Sequence, residues 1–310
     1  MDSHSTALDL GAMVRAMREA YHRGDNAMEA ARALLNDDAN LPFAVLVAYD
    51  LQAGTYAASA GAHPERTEAW CTQLAALLRP YVETSPSSLL EVGVGEATTL
   101  AGVVERLGVP LRWAGGFDVS WSRIDAARGW LAERQVDAAT FVGDLFAIPM
   151  ADGAVDIVYS SHSLEPNGGR ELEAVRECLR VARRAVVLVE PLYEFASPEA
   201  QARMSSHGYV RGLREAAESL GARVVDHRLL PYTGNPLNPS GVLLLEKTDD
   251  SPAANDLVWR CPLTHAPLTP EEDLYVAADT GIAYPVLRGI PLLRAEHAVV
   301  ASRLARHAGR

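Results

Sequence analysis

Two glycines, the acidic residue before them and two aspartates at set distances after them have the types and spacing to hold a nucleotide-like ligand. In Leu89-Leu-Glu91-Val-Gly93-Val-Gly95-Glu-Ala-Thr-Thr-Leu100 an apolar run ends in Glu91 and a G-x-G, and a run with helical spacing follows. A first strand hands over to a first helix in this way when the turn between them must touch a ligand. Gly93 and Gly95 carry no Cβ, so the backbone can turn sharply and a ligand can lie against it. Asp118 closes the next apolar run, Trp113-Ala-Gly-Gly-Phe-Asp118, about 20 residues on, where a carboxylate can grip a ribose. Asp144 closes a third run, Thr140-Phe-Val-Gly-Asp144.

Together these residues resemble motif I (E/D-x-G-x-G) and the two following acidic positions of the class I S-adenosylmethionine-dependent methyltransferases. The resemblance covers residues 80–247. The third glycine of the dinucleotide fingerprint G-x-G-x-x-G is absent, with Thr98 in its place, which speaks for S-adenosylmethionine over NAD. The resemblance implies a cofactor site built from Glu91, Gly93, Gly95, Asp118, Val119, Asp144, Leu145 and Ser160, with Asp118 on the ribose hydroxyls and Asp144 on the adenine amino group. Many small-molecule members lay a Tyr-bearing helix over the cofactor. Tyr56 fits that role, and Tyr49 beside it is expected on the substrate side.

Methyl transfer needs alignment of nucleophile, methyl carbon and sulfur, and an unprotonated nucleophile. In Ser160-Ser-His162-Ser-Leu-Glu165-Pro-Asn167, His162 is suited to take a proton from a hydroxyl near neutral pH, and Glu165 and Asn167 to orient a polar substrate. In His207-Gly-Tyr209-Val-Arg211, helical spacing places His207 and Arg211 on one face, where a second base, a phenol and a guanidinium could read a polar or anionic group; a surface turn at Gly208 is the alternative. Tyr193 and Asn235 are expected along the same cavity.

These side chains need a scaffold. Apolar runs predict strands over 88–93, 112–118, 140–143, 155–161, 184–190, 223–229 and 241–247, and helices over 97–107, 121–134, 168–182 and 198–220. Strands alternating with helices give an α/β fold with a mostly parallel, Rossmann-like sheet. The last two strands have only a Pro- and Asn-rich loop between them, so the final strand is antiparallel. Residues 1–80 read as a helical cap, with Asp25 capping a second helix and Pro80 closing the last one.

Residues 249–255 are polar and linker-like, and residues 255–310 form a small β module. Its Cys261-Pro-Leu-Thr264 and Tyr284-Pro-Val-Leu-Arg-Gly289-Ile-Pro291 are similar to the Trm112-like zinc-ribbon family, but Thr264 replaces the second cysteine and no cysteine follows Cys261. A zinc site needs four such ligands, so no metal is expected. The net charge of −12 disfavours a nucleic-acid partner. Three scattered cysteines, no leader-like start and no apolar run near 18 residues predict a cytoplasmic chain with no membrane contact. The expected partner is a polar small molecule, a homodimer is compatible, and oxygen is slightly preferred over nitrogen as acceptor. Action on RNA or protein through the ribbon, and a non-catalytic assembly role, are the competing readings.

Overall fold

The computed structural model describes residues 9–35, 41–83, 87–247 and 257–304; the linker expected at 249–255 lies outside the described residues. Among the described residues five helices precede the sheet: α1 (Leu10–Arg23), α2 (Ala27–Leu35), α3 (Pro42–Leu51), α4 (Thr55–Ala62) and α5 (Pro64–Val82). The first three bury Met13, Met17, Ala31, Ala44 and Ala48 against one another. Asn26, not Asp25, caps α2, its side-chain oxygen accepting from Met28 N at 2.9 Å; Asp25 pairs instead with Arg23. Pro80 does not close α5. The helix runs two residues past it, because Leu74, Leu78 and Val82 continue the apolar face that packs on the sheet.

The main sheet contains β1 (Ser88–Val92), β2 (Trp113–Asp118), β3 (Ala139–Val142), β4 (Val155–Ser161), β5 (Ala182–Pro191), β6 (Arg223–Leu229) and β7 (Ser240–Glu246), in the order β3-β2-β1-β4-β5-β7-β6. The first five strands are parallel, and β7 runs antiparallel to β5 and β6. The expected α/β fold with its antiparallel last strand is therefore present. Strands β1, β4 and β5 are buried almost throughout because helices cover both faces. Helices α6 (Thr98–Leu107) and α7 (Trp121–Glu133) lie with α5 on one face, α8 (Glu171–Val181) and α10 (Leu213–Ser219) on the other. Strand order reverses between β1 and β4, the point where such sheets open a crevice at their carboxyl edge.

The helix expected over 198–220 is two helices, α9 (Pro198–Ser206) and α10. His207 ends the first, Gly208 follows at φ +67°, and Gly212 enters the second at φ +65°. Two left-handed glycines four residues apart cannot sit inside one helix. His207 and Arg211 therefore do not share a helical face.

Strands β8 (Trp259–Arg260), β9 (Pro267–Pro270), β10 (Leu274–Ala277), β11 (Ile282–Leu287), β12 (Ile290–Pro291) and β13 (Val299–Val300) form a second, antiparallel sheet. It docks on β3. Leu293 N donates to Val142 O at 2.8 Å, Arg260 N donates to Pro149 O at 3.0 Å, and the Trp259 ring meets Phe141 edge-on at 5.0 Å. Cys261, Tyr284 and Leu293 join the same buried cluster as Phe141, Met150 and Val158. Cys261 Sγ lies 3.3 Å from Tyr284 Oη and accepts from Thr264 N at 3.4 Å. No described helix is long and apolar enough to cross a membrane.

Candidate functional site

A cavity of about 1080 Å³ opens at the carboxyl edge of β1, β2 and β4, roofed by α3 to α5. Its floor is the glycine turn. Gly93 and Gly95 stand at φ +66° and +54°. A Cβ on Gly93 would come within 2.3 Å of Ser163 Cβ, and one on Gly95 within 2.5 Å of an Arg123 guanidinium nitrogen. Both positions thus favour glycine for conformation, and Gly93 requires it for space as well. Glu91 is buried beneath the turn, where Tyr159 Oη donates to its Oε2 at 2.5 Å; burial pushes its carboxyl up to about 8.

Asp118 ends β2 with both oxygens engaged: Oδ2 accepts from Gly95 N at 3.1 Å and Oδ1 from Ser120 N at 2.9 Å. Burial raises its pKa against the opposing pull of Arg123 and these amides. Each carboxylate oxygen has a second lone pair for a ligand hydroxyl. Val119 follows on the cavity wall, and across the cavity Asp144 Oδ1 accepts from Phe146 N at 2.9 Å beside the buried Leu145.

Two carboxylates fasten the roof. Glu96 accepts from Gly54 N, Tyr56 N and Ala57 N at 3.0, 3.3 and 2.7 Å, pinning the start of α4 to the glycine turn. Asp50 Oδ1 accepts from Ser120 Oγ at 2.6 Å. Tyr49 and Tyr56 are thereby brought over Arg123, whose guanidinium carbon lies 5.4 and 4.5 Å from their ring centres. Arg123 is 7% exposed and its Nε has no partner among the described residues. No motif marked it. Its one signal is a cation in the first turn of α7, where the helix dipole disfavours positive charge.

The loop after β4 forms the opposite wall. His162 stands at φ +56°, a conformation costly for a non-glycine residue and frequent at functional sites. Its Nδ1 lies 3.0 Å from Glu165 Oε2, and its Nε2 2.7 Å from Ser240 Oγ. Trp70 meets its ring edge-on at 5.3 Å. Burial pulls the imidazole pKa down, but the hydrogen bond and charge of Glu165, with the charge of Glu190, outweigh it, and the pKa stands above the ordinary value. Glu190, fully buried at the end of β5, accepts from the backbone N–H of Ser163, Leu164 and Glu165, each at 3.1 Å. Burial pushes its carboxyl up to about 7. Asn167 lines the cavity and ties its own loop by donating to Ser163 O and Leu164 O.

His207 reaches the cavity from the end of α9, with Nδ1 2.8 Å from Arg203 O, and the exposed Asn235 reaches it from the β6–β7 loop. Four expected site residues lie elsewhere. Ser160 is fully buried inside β4, and alternation along the strand turns its neighbour Ser161 to the cavity, where the Ser161 hydroxyl accepts from Trp70 Nε1 at 3.0 Å. Tyr193 and Arg211 stack on each other at 5.4 Å outside the cavity, and Tyr209 packs under Arg203 at 5.8 Å. The break at Gly208 turns both 209 and 211 away. Trp70, Ser240 and Arg294, which line the cavity, carry no local sequence signal.

Residues 89–185 match the family model described as a methyltransferase domain. The ajmaline N-methyltransferase of Rauvolfia serpentina is 28% identical over 123 residues, which is 38% of this chain and 41% of that enzyme. The chain thus spans about two fifths of the length of that curated relative. Among solved structures, the complex between the Haloferax volcanii Trm112 methyltransferase activator and a methyltransferase aligns with TM-score 0.49 at 17% identity, over 64% of this chain and 96% of that one. Magnesium protoporphyrin IX methyltransferase from Synechocystis PCC 6803 with bound SAH aligns with TM-score 0.48 at 12% identity, over 59% and 84%.

Proposed function

We propose that this chain transfers a methyl group from S-adenosylmethionine to a polar small molecule held between the glycine turn and His162. The methyltransferase-domain match over residues 89–185 supports the reaction class. The glycine floor, with Asp118 and Asp144 on one cavity, fits the cofactor. The cofactor, when bound, supplies an electrophilic methyl on a sulfonium. Asp118 is placed to accept from the ribose hydroxyls, Val119 and Leu145 to flank the base, and Asp144 to accept from its amino group. Tyr49, Tyr56 and Arg123 close the roof over them and exclude water.

The carrying observation is the series Ser240 Oγ, His162 Nε2, His162 Nδ1 and Glu165 Oε2, at 2.7 and 3.0 Å. The Ser240 hydroxyl shows that an oxygen fits the ring nitrogen. Glu165 fixes the ring's orientation and stabilises its charged form, as the partner of a general base must. An acceptor hydroxyl that reaches Nε2 in exchange for the Ser240 hydroxyl would lose its proton to His162. Nitrogen as acceptor is the second reading, favoured by the name of the Rauvolfia relative; it needs orientation by Glu165 and Asn167 but no base. We read the C-terminal sheet as a Trm112-like ribbon without zinc ligands. The chain's charge of −12 favours a small acceptor over RNA.

Titration calorimetry with S-adenosylmethionine and its demethylated product, with NAD as control, tests the cofactor. Turnover of candidate phenols and amines tests the base. We expect His162→Ala to lose about 10²–10⁴-fold in turnover on a hydroxyl acceptor with cofactor affinity kept, and His207→Ala to stay near the parent. Equal turnover in His162→Ala sinks the base role; no binding of either sulfur ligand sinks the methyl-transfer reading.

A further inference from the structure

The C-terminal sheet does more than cover β3. Val142 and Leu292 form a parallel bridge, and Leu293 N donates to Val142 O at 2.8 Å. Two positions beyond Val142 the chain reaches Asp144, and two beyond Leu292 it reaches Arg294. Both side chains line the 1080 Å³ cavity. Arg294 also borders a second cleft of about 680 Å³, between the N-terminal helices and the C-terminal strands, and Leu46 and Val119 are shared by the two. Arg294 therefore stands at the end of the cavity defined by Val119 and Asp144, far in sequence from the glycine turn and the aspartates that follow it.

Its hydrogen bonding is incomplete. One terminal nitrogen pairs with Glu296, while Nε is buried with no partner among the described residues. A buried guanidinium N–H without an acceptor calls for one. Asp144 is the complementary group, a carboxylate that accepts. A donor and an acceptor lining one cavity, each two residues beyond the Val142–Leu292 bridge, suit a planar base that carries an amino group next to ring nitrogens.

We propose that Arg294 is a cofactor-binding residue: its guanidinium donates to a ring nitrogen of the adenine whose amino group Asp144 receives, so that the C-terminal sheet completes the cofactor site. This rests on the reading of the cavity as an S-adenosylmethionine site.

The test is calorimetry on the full chain with S-adenosylhomocysteine and its 1-deaza, 3-deaza and 7-deaza analogues. In the wild type, one deaza analogue should bind about 10-fold more weakly than the parent compound, equivalent to about 1.4 kcal/mol. Arg294→Met, which keeps the stem and removes the N–H, should lose a similar factor for the parent compound. It should bind that analogue and the parent equally, as a double-mutant cycle requires of a direct contact. If Arg294→Met does not fold, the analogue series on the wild type still decides. Three analogues binding like the parent compound, or Arg294→Met binding it like the wild type, overturns the assignment of Arg294 alone. A wild type that binds none of these ligands overturns the methyl-transfer reading and this one with it.

Discussion

Glu91 shows what a single residue can reveal about this site. Its carboxyl is buried, accepts from Tyr159 Oη, and is pushed up to about 8. Between the ordinary carboxylate pKa and that value, the folded chain holds a proton that the unfolded chain releases. The associated stability is therefore full at acid pH and is lost as pH rises through about 8. Glu91→Gln removes the titration. One pKa unit is about 1.4 kcal/mol, and each kcal/mol moves a melting temperature by about 2–4 °C. We expect the wild type to lose at least roughly 5 °C relative to Glu91→Gln between pH 5 and pH 8.5. Parallel melting curves across that range would show that Glu91 titrates normally. Glu91, Gly93, Gly95, Asp118 and Asp144 were legible in the sequence because their placement follows from two strand-to-helix turns and their neighbours. Arg123 and Ser240 were not, since Arg123 reaches Tyr49 and Tyr56 only through the roof, and Ser240 reaches His162 only when β7 pairs with β5.

Among the elements, the strands were legible and the loops between them were not. Each of the seven expected strands appears within two residues of its expected bounds, because burial makes the central strands nearly continuous apolar runs; the edge strand β6 is mostly exposed. The 207–212 segment failed because its shape is set by partners distant in sequence. Gly168 N donates to Gly208 O at 3.0 Å, and Val210 N donates to Glu165 O at 2.9 Å, binding the loop after β4 to the break between α9 and α10. Glu190 holds the same loop from β5 through three backbone amides. Glu190→Gln has one oxygen in place of two, so at least one of those amides loses its acceptor and the strained backbone at His162 is released. We expect turnover to fall about 10-fold or more, the effect of losing about 1.4 kcal/mol at the transition state, with a smaller loss of cofactor affinity, because the loop bears on the glycine turn through Ser163. Separate kcat and cofactor-affinity measurements check this. A variant that weakens cofactor binding and leaves kcat intact would place Glu190 under the cofactor instead of under the loop.

At the scale of the whole molecule, the β module was recognisable from Tyr284-Pro…Gly289-Ile-Pro291, but its docking was not, because the pairing joins residues more than a hundred positions apart. Trp259 is the hinge of that docking. It meets Phe141 at 5.0 Å and Tyr275 at 5.4 Å, both edge-on, while the next residue's amide bonds Pro149 O. Phe141 immediately precedes Val142, which sets the register of Asp144 and Arg294. Trp259→Ala removes an aromatic wedge from a core shared by both sheets. Such truncations cost about 3–5 kcal/mol when fully buried, and the partly buried Trp259 belongs at the lower end, a fall of about 6–10 °C in melting temperature. If the two sheets share one core, calorimetry gives a single transition that shifts as a whole, and affinity for S-adenosylhomocysteine drops with it at temperatures well below melting. If the C-terminal sheet is an independent attachment, Trp259→Ala splits the melt into a lowered small transition and an unmoved large one, and cofactor affinity stays at the parent value. The second pattern would remove the physical basis for placing Arg294 in the site, since a sheet that can come away without consequence cannot hold a base in register with Asp144.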